Sequence, residues 1–450
     1  MKNFAVLLTL LAAGATFAWA QETDAAKTWD ENATAESLGL EPLVLPSDFY
    51  PVYPWDHMKS WSKEYQPMDV ALASMSECGF TMPGFVSVEE KALCESHGFK
   101  YMTSVAVDRE KLPTLTVEEA ETLIQDAVAA TKDDPNVLGY YLIDEPGADL
   151  FPGLAKLVAA VKKFAPGKLA YINLFPSYAT TIGSDRESQL QTHSFTEYLE
   201  RFVQEVKPQF ISYDNYMVEY SEDMTHLERS SIYYRDLVEV RRIAEKYNLP
   251  WWNIVSSLCI QDESSPASPA RTAFQAYTSL AAGANGLGWF LYYPLGWGYA
   301  PIDKEGRKTL TWVYLRDINE QTRTLGTFLN NYDSTALWFS EPAPNMPNDE
   351  KLPTNPGDVL ASIDLSWSKM GQNITETPQI LAGEFKAKDG SHDAVMVVNL
   401  NFGRSVKVDL KPVAEGKTIT AISPIDGLPE EMPKNGWWIL PGHGRLFLLK

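Results

Sequence analysis

Apolar and polar positions follow one another up to about residue 330 in a repeating order: a short apolar run, a loop, and an amphipathic helical stretch that ends at Gly or Pro. Eight of the apolar runs are predicted to be strands, and they cover residues 49–53, 80–86, 101–107, 138–143, 169–175, 210–216, 251–257 and 286–293. The helical stretches carry start signals such as Thr116, which precedes Glu118 and Glu119 and is typical of a helix N-cap. Strands that alternate with helices predict a parallel sheet, and eight such units predict a (β/α)8 TIM barrel.

From about Ala336 the pattern changes to short alternating runs that are separated by turn residues. The segment "KDGSHD" between two such runs is typical of a hairpin, so this part predicts an antiparallel β-sandwich. We therefore expect a signal peptide over residues 1–20, a barrel domain over 21–335 and a C-terminal β-sandwich domain over 336–450.

The first twenty residues, "MKNFAVLLTLLAAGATFAWA", place one Lys before an apolar run and end on Ala18-Trp19-Ala20. This layout is that of a cleaved secretory signal, and it predicts a secreted or periplasmic protein whose mature chain begins near Gln21. No Cys follows the predicted cut, which argues against a lipoprotein anchor. The uncharged run 272–302 is broken by several Gly and by Pro294, so we expect no membrane insertion there.

The formal net charge of -21 argues against nucleic acid and anionic membranes as partners, because phosphates are bound by clustered Lys and Arg. Three cysteines are too few for a metal cluster or a disulfide framework, although Cys78 and Cys94 could pair in an oxidising compartment. No His cluster or phosphate-binding loop is present in the sequence. The sequence implies no metal and no cofactor.

Polar residues gather where the predicted strands end. In a (β/α)8 barrel these ends meet at one mouth, so their side chains are expected to form the site. The candidate acids are Asp144, Glu145 and Asp214. The candidate substrate-binding residues are Asn173, Tyr213, Tyr216, Asn253, Trp289, Tyr292 and Trp297. Carboxylates that are surrounded by amides and aromatic rings are the groups that a sugar site requires, so we expect a carbohydrate ligand.

An apolar, Tyr-rich strand ends at the adjacent acids Asp144 and Glu145. An acid beside apolar rings loses hydration, which raises its pKa and favours a role as proton donor. The alternative is a helix N-cap followed by a first-turn acid, since Pro146 and a helical stretch come next; this explains one acid better than two. For Asp214 the alternative is a buried acid that neighbouring amides satisfy.

The segments "YYLIDEPG", "AYINLFPSYA", "FISYDNYM", "WWNIVSS" and "GANGLGWFLYY" resemble the TIM-barrel glycoside hydrolases related to clan A, near the β-galactosidase-like barrels. The resemblance covers about residues 49–330 and implies that Glu145, at the end of strand four, is the general acid/base. The chain departs from clan A at Asp144, where the family has Asn, and in "WWNIVSSLCIQ", where the strand-seven nucleophilic Glu is missing. These departures put a two-carboxylate retaining mechanism in question.

Three partners for Glu145 stay open. Asp214 could act as nucleophile or as base to a water molecule, and Asp262 or Glu263 could reach the mouth from the loop after strand seven. Asp144 is the third, since an Asp-Glu pair resembles that of substrate-assisted N-acetylhexosaminidases. The predicted function is a secreted glycoside hydrolase that cleaves O-glycosidic bonds of an oligo- or polysaccharide. The alternatives are a substrate-assisted N-acetylhexosaminidase and a non-catalytic carbohydrate-binding protein; the sugar and the oligomeric state are left open.

Overall fold

A computed structural model describes residues 28–260, 267–367 and 377–450. Within these ranges eight parallel strands form the barrel: β1 (Val52–Pro54), β2 (Phe85–Val86), β3 (Tyr101–Ser104), β4 (Val137–Asp144), β5 (Leu169–Asn173), β6 (Ile211–Asp214), β7 (Trp251–Ser256) and β8 (Gly286–Phe290). Each strand overlaps one predicted run, so the predicted (β/α)8 fold is confirmed. The predicted signal peptide, residues 1–20, lies outside the described residues.

Amphipathic helices connect the strands and cover the barrel. They are α1 (Ala35–Leu38), α2 (Met58–Tyr65), α3 (Met68–Glu77), α4 (Lys91–Ser96), α5 (Val117–Val128), α6 (Phe151–Phe164), α7 (Phe195–Arg201), α8 (Leu227–Lys246), α9 (Pro269–Ala281) and α10 (Leu310–Leu329). Helix α5 begins with the predicted cap: the Thr116 hydroxyl accepts from the Glu119 backbone N–H, and the Glu119 carboxylate accepts from Thr116 in return. In the described part of the chain, no helix is long and apolar enough to span a bilayer.

The barrel consists of two four-stranded parallel sheets. Their strand orders are β1-β8-β7-β6 and β2-β3-β4-β5. Isolated parallel bridges close the barrel on both sides, His57 with Phe85 and Leu174 with Tyr213. The carboxyl ends of β4, β5 and β6 are therefore neighbours around the mouth, although the join between β5 and β6 is a single bridge.

Aromatic rings fill the barrel. The ring centroids of Tyr171 and Trp252 are 5.8 Å apart, and Phe210 lies 5.3 Å from Tyr171. Because neighbouring residues of a strand face opposite sides, the intervening residues point outward to the helices. This alternation decides which strand-end residues reach the mouth.

The C-terminal part forms the predicted antiparallel β-sandwich. Its strands are β9 (Tyr332–Phe339), β10 (Leu360–Trp367), β11 (Ile380–Ala387), β12 (Asp393–Asn399), β13 (Val406–Pro412), β14 (Ile419–Ile422), β15 (Pro429–Glu430), β16 (Trp437–Ile439) and β17 (Gly444–Leu449). Six of them pair in the order β15-β14-β17-β12-β11-β9, and three in the order β10-β13-β16. The segment "KDGSHD" joins β11 to β12, which pair antiparallel as the sequence predicted.

The sandwich packs directly on helix α9 of the barrel. A Cβ atom at Gly383 of β11 would overlap the carbonyl oxygen of Ala281, so only Gly allows this close approach. Phe274 of α9 belongs to the same buried apolar cluster as Met396 and Leu446 of the sandwich. The barrel and the sandwich therefore share one core.

Two cysteines that the sequence offered as a disulfide are not bonded to each other. Cys78 and Cys94 are both buried free thiols in the described structure. Burial raises the pKa of each thiol, that of Cys94 to about 12, so both are held as neutral packing residues.

Candidate active site at the mouth of the barrel

Three neighbouring strands bring the candidate acids together. Strand β4 ends on Asp144, which lies opposite Asn173, the last residue of β5. Strand β6 ends on Asp214, whose side chain is only 2% exposed. Asp144 and Glu145 are both half-buried. The prediction that these acids meet at the mouth agrees with their positions, while their catalytic roles stay predictions.

The Asn173 amide connects two of the acids. Its Nδ2 atom donates to Asp144 Oδ1 at 3.1 Å and to Asp214 Oδ1 at 2.9 Å. Its Oδ1 atom accepts a hydrogen bond from Ser212 Oγ at 3.0 Å. The distance between the two aspartate oxygens is therefore at most the sum of these two hydrogen-bond lengths.

Neither strand-four acid caps the following helix. Helix α6 begins at Phe151, and its N-cap residue is Leu150, which makes no side-chain capping bond. The cap alternative for Asp144 and Glu145 is therefore wrong. Both side chains are left available for the mouth of the barrel.

The backbone of Glu145 adopts an uncommon conformation that several contacts hold. Its φ angle is 45°, in the left-handed region that costs a non-Gly residue about 1 kcal/mol. Its N–H donates to the Asn173 carbonyl at 2.9 Å, and Arg109 donates to the carbonyls of Asp144, at 3.0 Å, and Glu145. The Tyr198 hydroxyl donates to the Pro146 carbonyl at 2.6 Å. Strain that is maintained in this way is typical of functional sites.

Burial raises the pKa of all three acids. It raises the pKa of Asp144 to about 6, against the opposing effects of the Asn173 hydrogen bond and the Arg109 charge. Burial, and then the charges of Asp214 and Asp144, raise the pKa of Glu145 well above its usual value, and Arg109 opposes this shift. Burial and the charge of Asp144 likewise raise the pKa of Asp214. Burial of these carboxyls and the repulsion between their charges therefore favour retention of a proton in the site near neutral pH.

Aromatic residues form one wall of the mouth. The Phe290 ring lies 5.0 Å from that of Tyr216 and 5.3 Å from that of Trp297. Tyr216 and Trp297 are half-buried, and the Tyr216 hydroxyl hydrogen bonds to Asp214 and so opposes the rise in its pKa. Their role in substrate binding stays a prediction.

The prediction that Tyr213 and Asn253 contact a ligand at the mouth is wrong. Tyr213 is fully buried on the outer face of its strand, where its ring lies 6.1 Å from that of Trp251. Asn253 donates to Ser279 of helix α9 at 2.9 Å. Each side chain points to the outer face of the barrel, because the residues next to it in its strand point inward.

Trp289 and Tyr292 also face the helices, which corrects their predicted role. Trp289 Nε1 donates to Asn319 of helix α10 at 2.8 Å. The Tyr292 hydroxyl lies 2.7 Å from Ser74 Oγ and accepts from Trp312 Nε1 at 2.9 Å. Both side chains are fully buried, so neither can reach a sugar at the mouth.

Sequence reasoning missed Glu219, an acid beside the end of strand seven. It lies in the 3-10 helix Met217–Tyr220 after β6 and is 2% exposed. Ser256 Oγ donates to its Oε2 at 3.3 Å, and the Ile260 N–H donates to its Oε1. Glu219 therefore anchors the loop after β7. The predicted alternatives Asp262 and Glu263 lie outside the described residues.

Two other residues near the acids were also missed. Tyr178, in the loop after β5, has a pKa that is raised by burial and then by the charges of Asp214 and Glu145. Asp236 of helix α8 accepts from Ser177 N at 3.1 Å and from Asn215 Nδ2 at 2.8 Å. Asp236 thus ties the loops after β5 and β6 to the same helix.

The site consists of carboxyls that lie next to aromatic rings. Among the described residues, no group of three or more His, Cys, Asp or Glu side chains is arranged to hold a metal ion. Acids with raised pKa values next to aromatic rings can exchange protons with a bound molecule and stack on its apolar faces.

Comparison with solved structures gives likenesses of fold. A glycoside hydrolase family 5 structure from Bacteroides vulgatus ATCC 8482 aligns with a TM-score of 0.52 at 12% sequence identity and covers 89% of each chain. A second structure, titled simply a glycoside hydrolase, aligns with a TM-score of 0.52 at 13% identity and covers 91% of this chain and 96% of its own. No family profile matches the sequence, and no curated protein matches it. At these identities the shared property is the fold, a (β/α)8 barrel followed by a β-sandwich.

Proposed function

We propose that the protein is a glycoside hydrolase that cleaves O-glycosidic bonds of an oligo- or polysaccharide, with Glu145 as general acid/base. One observation carries the proposal: a half-buried Glu145 carboxyl with a raised pKa lies beside two further acids at the mouth of the barrel. Glycoside hydrolysis needs such a proton donor and a second carboxylate. The fold likeness to the two glycoside hydrolase structures is consistent with this chemistry.

Asp214 is the partner that we propose for Glu145. Its charge raises the pKa of Glu145 more than the charge of Asp144 does, and it lies at the end of β6, which is separated from β4 by β5 alone. Protonated Glu145 would protonate the glycosidic oxygen, while Asp214 would act as nucleophile or would remove a proton from the attacking water. Carboxyls about 5 to 5.5 Å apart give retention, and those roughly 6.5 to 9.5 Å apart give inversion. NMR of the first anomer released distinguishes the two.

The aromatic wall supports a sugar as the ligand. Trp297 and Tyr216 are half-buried at the mouth, so each can present a ring to solvent and to a substrate. Sugar rings stack their C–H faces on such side chains, while their hydroxyls bind carboxylates and amides. This wall would hold the ring next to Glu145 and Asp214.

Glu145→Gln is the direct test. Wild type is expected to release sugar from a panel of aryl glycosides and polysaccharides. The variant should lose at least about a thousandfold in kcat/KM, because it cannot donate the proton. Glu118→Gln, which removes an exposed acid at the start of α5, should leave kcat/KM unchanged. Activity of Glu145→Gln within a few fold of wild type would rule out the assigned role.

Two alternatives have a specific observation behind them. The sequence "IVSSLCI" at the end of strand seven carries no acid, which favours a carbohydrate-binding protein without turnover. The Asp144-Glu145 pair favours substrate assistance by a 2-acetamido group. Binding without hydrolysis by wild type would support the first, and turnover restricted to 2-acetamido sugars, with inhibition by a thiazoline, would support the second.

We also propose export of the protein, from the signal-like pattern of residues 1–20. Export would place the barrel where extracellular or periplasmic polysaccharides are met. Mass spectrometry of the mature protein should find an N-terminus near Gln21, and an intact Met1 in exported protein would contradict it.

A further inference from the structure

A chain of hydroxyl groups crosses the barrel interior and ends at the acids. The Tyr53 and Tyr171 hydroxyls lie 2.7 Å apart, and the Tyr171 hydroxyl lies 2.8 Å from Ser212 Oγ. Ser212 Oγ lies 3.0 Å from Asn173 Oδ1. Tyr53, Tyr171 and Ser212 are fully buried, so water does not compete for these bonds.

The chemistry of the Asn173 amide gives this chain a direction. An amide oxygen only accepts and an amide nitrogen only donates, so Ser212 must donate to Asn173 Oδ1. Ser212 is then free to accept from Tyr171, which in turn accepts from Tyr53. The Asn173 nitrogen is left facing the two aspartates, and both of its hydrogens are used, one for Asp144 and one for Asp214.

In this orientation the Asn173 amide donates hydrogen bonds to two of the three acids. An N–H donor favours the ionised form of an acid, so it favours carboxylates at Asp144 and Asp214. In the described structure the Glu145 carboxyl receives no such bond, and the Arg109 charge is its one opposing influence. Seven tyrosines around the acids have raised pKa values that keep them neutral near pH 7: Tyr53, Tyr141, Tyr171, Tyr178, Tyr198, Tyr213 and Tyr216.

We propose that Ser212 is a positioning residue: by fixing the orientation of the Asn173 amide, it keeps Asp144 and Asp214 as hydrogen-bond acceptors and leaves the catalytic proton on Glu145. The inference rests on the proposed function for its catalytic meaning. Which of the three acids holds the proton can be measured without turnover, so that part of the proposal stands independently of the proposed function.

Ser212→Ala tests the proposal. Without the Ser212 donor, the Asn173 amide can turn its oxygen toward the aspartates, which favours a proton on one of them. The acid limb of the kcat/KM profile should move to higher pH by about one unit, and kcat/KM at pH 5 to 6 should fall about tenfold. Ser279→Ala is the control, since Ser279 Oγ also hydrogen bonds to the amide of a strand residue, accepting from Asn253 Nδ2, but on the outer face of the barrel. It should leave the profile in place.

A second measurement does not need activity. Carbon-13 NMR of labelled Asp and Glu carboxyls should show an Asp144 or Asp214 titration that moves to higher pH in Ser212→Ala, with signals assigned by Asp→Asn and Glu→Gln variants. Tyr171→Phe, which removes the donor to Ser212 but keeps the ring, should shift the same signals in the same direction by less. If Ser212→Ala does not fold, Tyr171→Phe provides the test in its place.

Two outcomes would overturn the proposal: aspartate titrations that are the same with and without the Ser212 hydroxyl, or equal shifts in Ser279→Ala. If wild type hydrolyses no glycoside, the proposed function fails, while the carboxyl titrations still decide the role of Ser212.

Discussion

Arg109 and Glu145 show how a backbone contact can set the chemistry of a side chain. Arg109 donates to the carbonyl oxygens of Asp144 and Glu145, where the φ angle of Glu145 is 45°. Its charge also favours the ionised form of Glu145, and so opposes the rise in the pKa of that acid. One guanidinium thus acts on both the position and the proton affinity of the proposed acid.

Replacement of Arg109 should separate these two effects. Arg109→Met removes a positive charge, so the pKa of Glu145 should rise and the basic limb of the kcat/KM profile should move to higher pH. Arg109 is largely exposed, so we expect a shift below about one pH unit. Arg109→Lys keeps the charge but loses the pair of hydrogen bonds to the Asp144 and Glu145 carbonyls. It should therefore lower kcat with little movement of the basic limb of the kcat/KM profile. A limb that moves to lower pH in Arg109→Met would contradict this account.

At the scale of strands and helices, periodicity predicted which elements exist, but not which face each strand end presents. Asp144 and Glu145 could be found because two acids interrupt an apolar strand. Tyr213 and Asn253 were placed wrongly because alternate residues of a strand face opposite sides, and the register that selects the inward side comes from pairing with distant strands. Arg109 begins the short 3-10 helix Arg109–Thr114, and its position at the mouth has no periodic signal in the sequence.

Asp56 links the end of β1 to the segment after β8. It is fully buried, and its Oδ2 accepts from the Tyr292 N–H at 2.9 Å. Burial raises the pKa of Asp56 to about 8, against the backbone hydrogen bonds from Tyr292 and Tyr293. The folded protein therefore binds a proton there that the unfolded chain, with an Asp pKa near 4, has already lost at neutral pH.

This difference predicts a pH-dependent stability. The contribution of Asp56 to the free energy of unfolding should fall as pH rises from about 4 to 8, by at most about 1.4 kcal/mol per pH unit. Asp56→Asn resembles the protonated acid and removes this dependence, so urea unfolding should find it more stable relative to wild type at pH 8 than at pH 5. Asp134→Asn is the control: the pKa of Asp134 is lowered to about 2, so it does not titrate in this range. Parallel pH profiles for Asp56→Asn and wild type would exclude the effect.

At the scale of the whole molecule, the shared core makes the barrel and the sandwich one cooperative unit. Helix α9 is buried by the strands of the barrel on one side and by β11, β12 and β17 on the other. Removal of the sandwich would expose this second apolar side. We therefore expect one thermal unfolding transition for the whole protein rather than two.

Gly383→Ala tests that junction. The added methyl group would overlap the Ala281 carbonyl and push β11 away from α9, which should lower the free energy of unfolding by about 1 to 3 kcal/mol. Gly403→Ala, in an exposed loop with space for a methyl group, should cost much less. Calorimetry should show a single peak that moves down in Gly383→Ala. A Gly383→Ala protein as stable as wild type would argue against close contact at this junction.

The join between β5 and β6 has a mechanical consequence for the acids. Asp144 and Glu145 belong to one half-barrel and Asp214 to the other, and in the described structure the halves meet on this side at the isolated bridge of Leu174 with Tyr213. The Asn173 side chain spans the same line. A few bonds, and not a continuous strand ladder, therefore connect the two halves here: the Leu174 N–H also donates to the Ser212 carbonyl at 2.8 Å, and the Tyr171 hydroxyl lies 2.8 Å from Ser212 Oγ. We therefore expect the separation between Glu145 and Asp214 to depend on these few bonds, so that a substitution at the join should change that separation while each half keeps its own strand pairing.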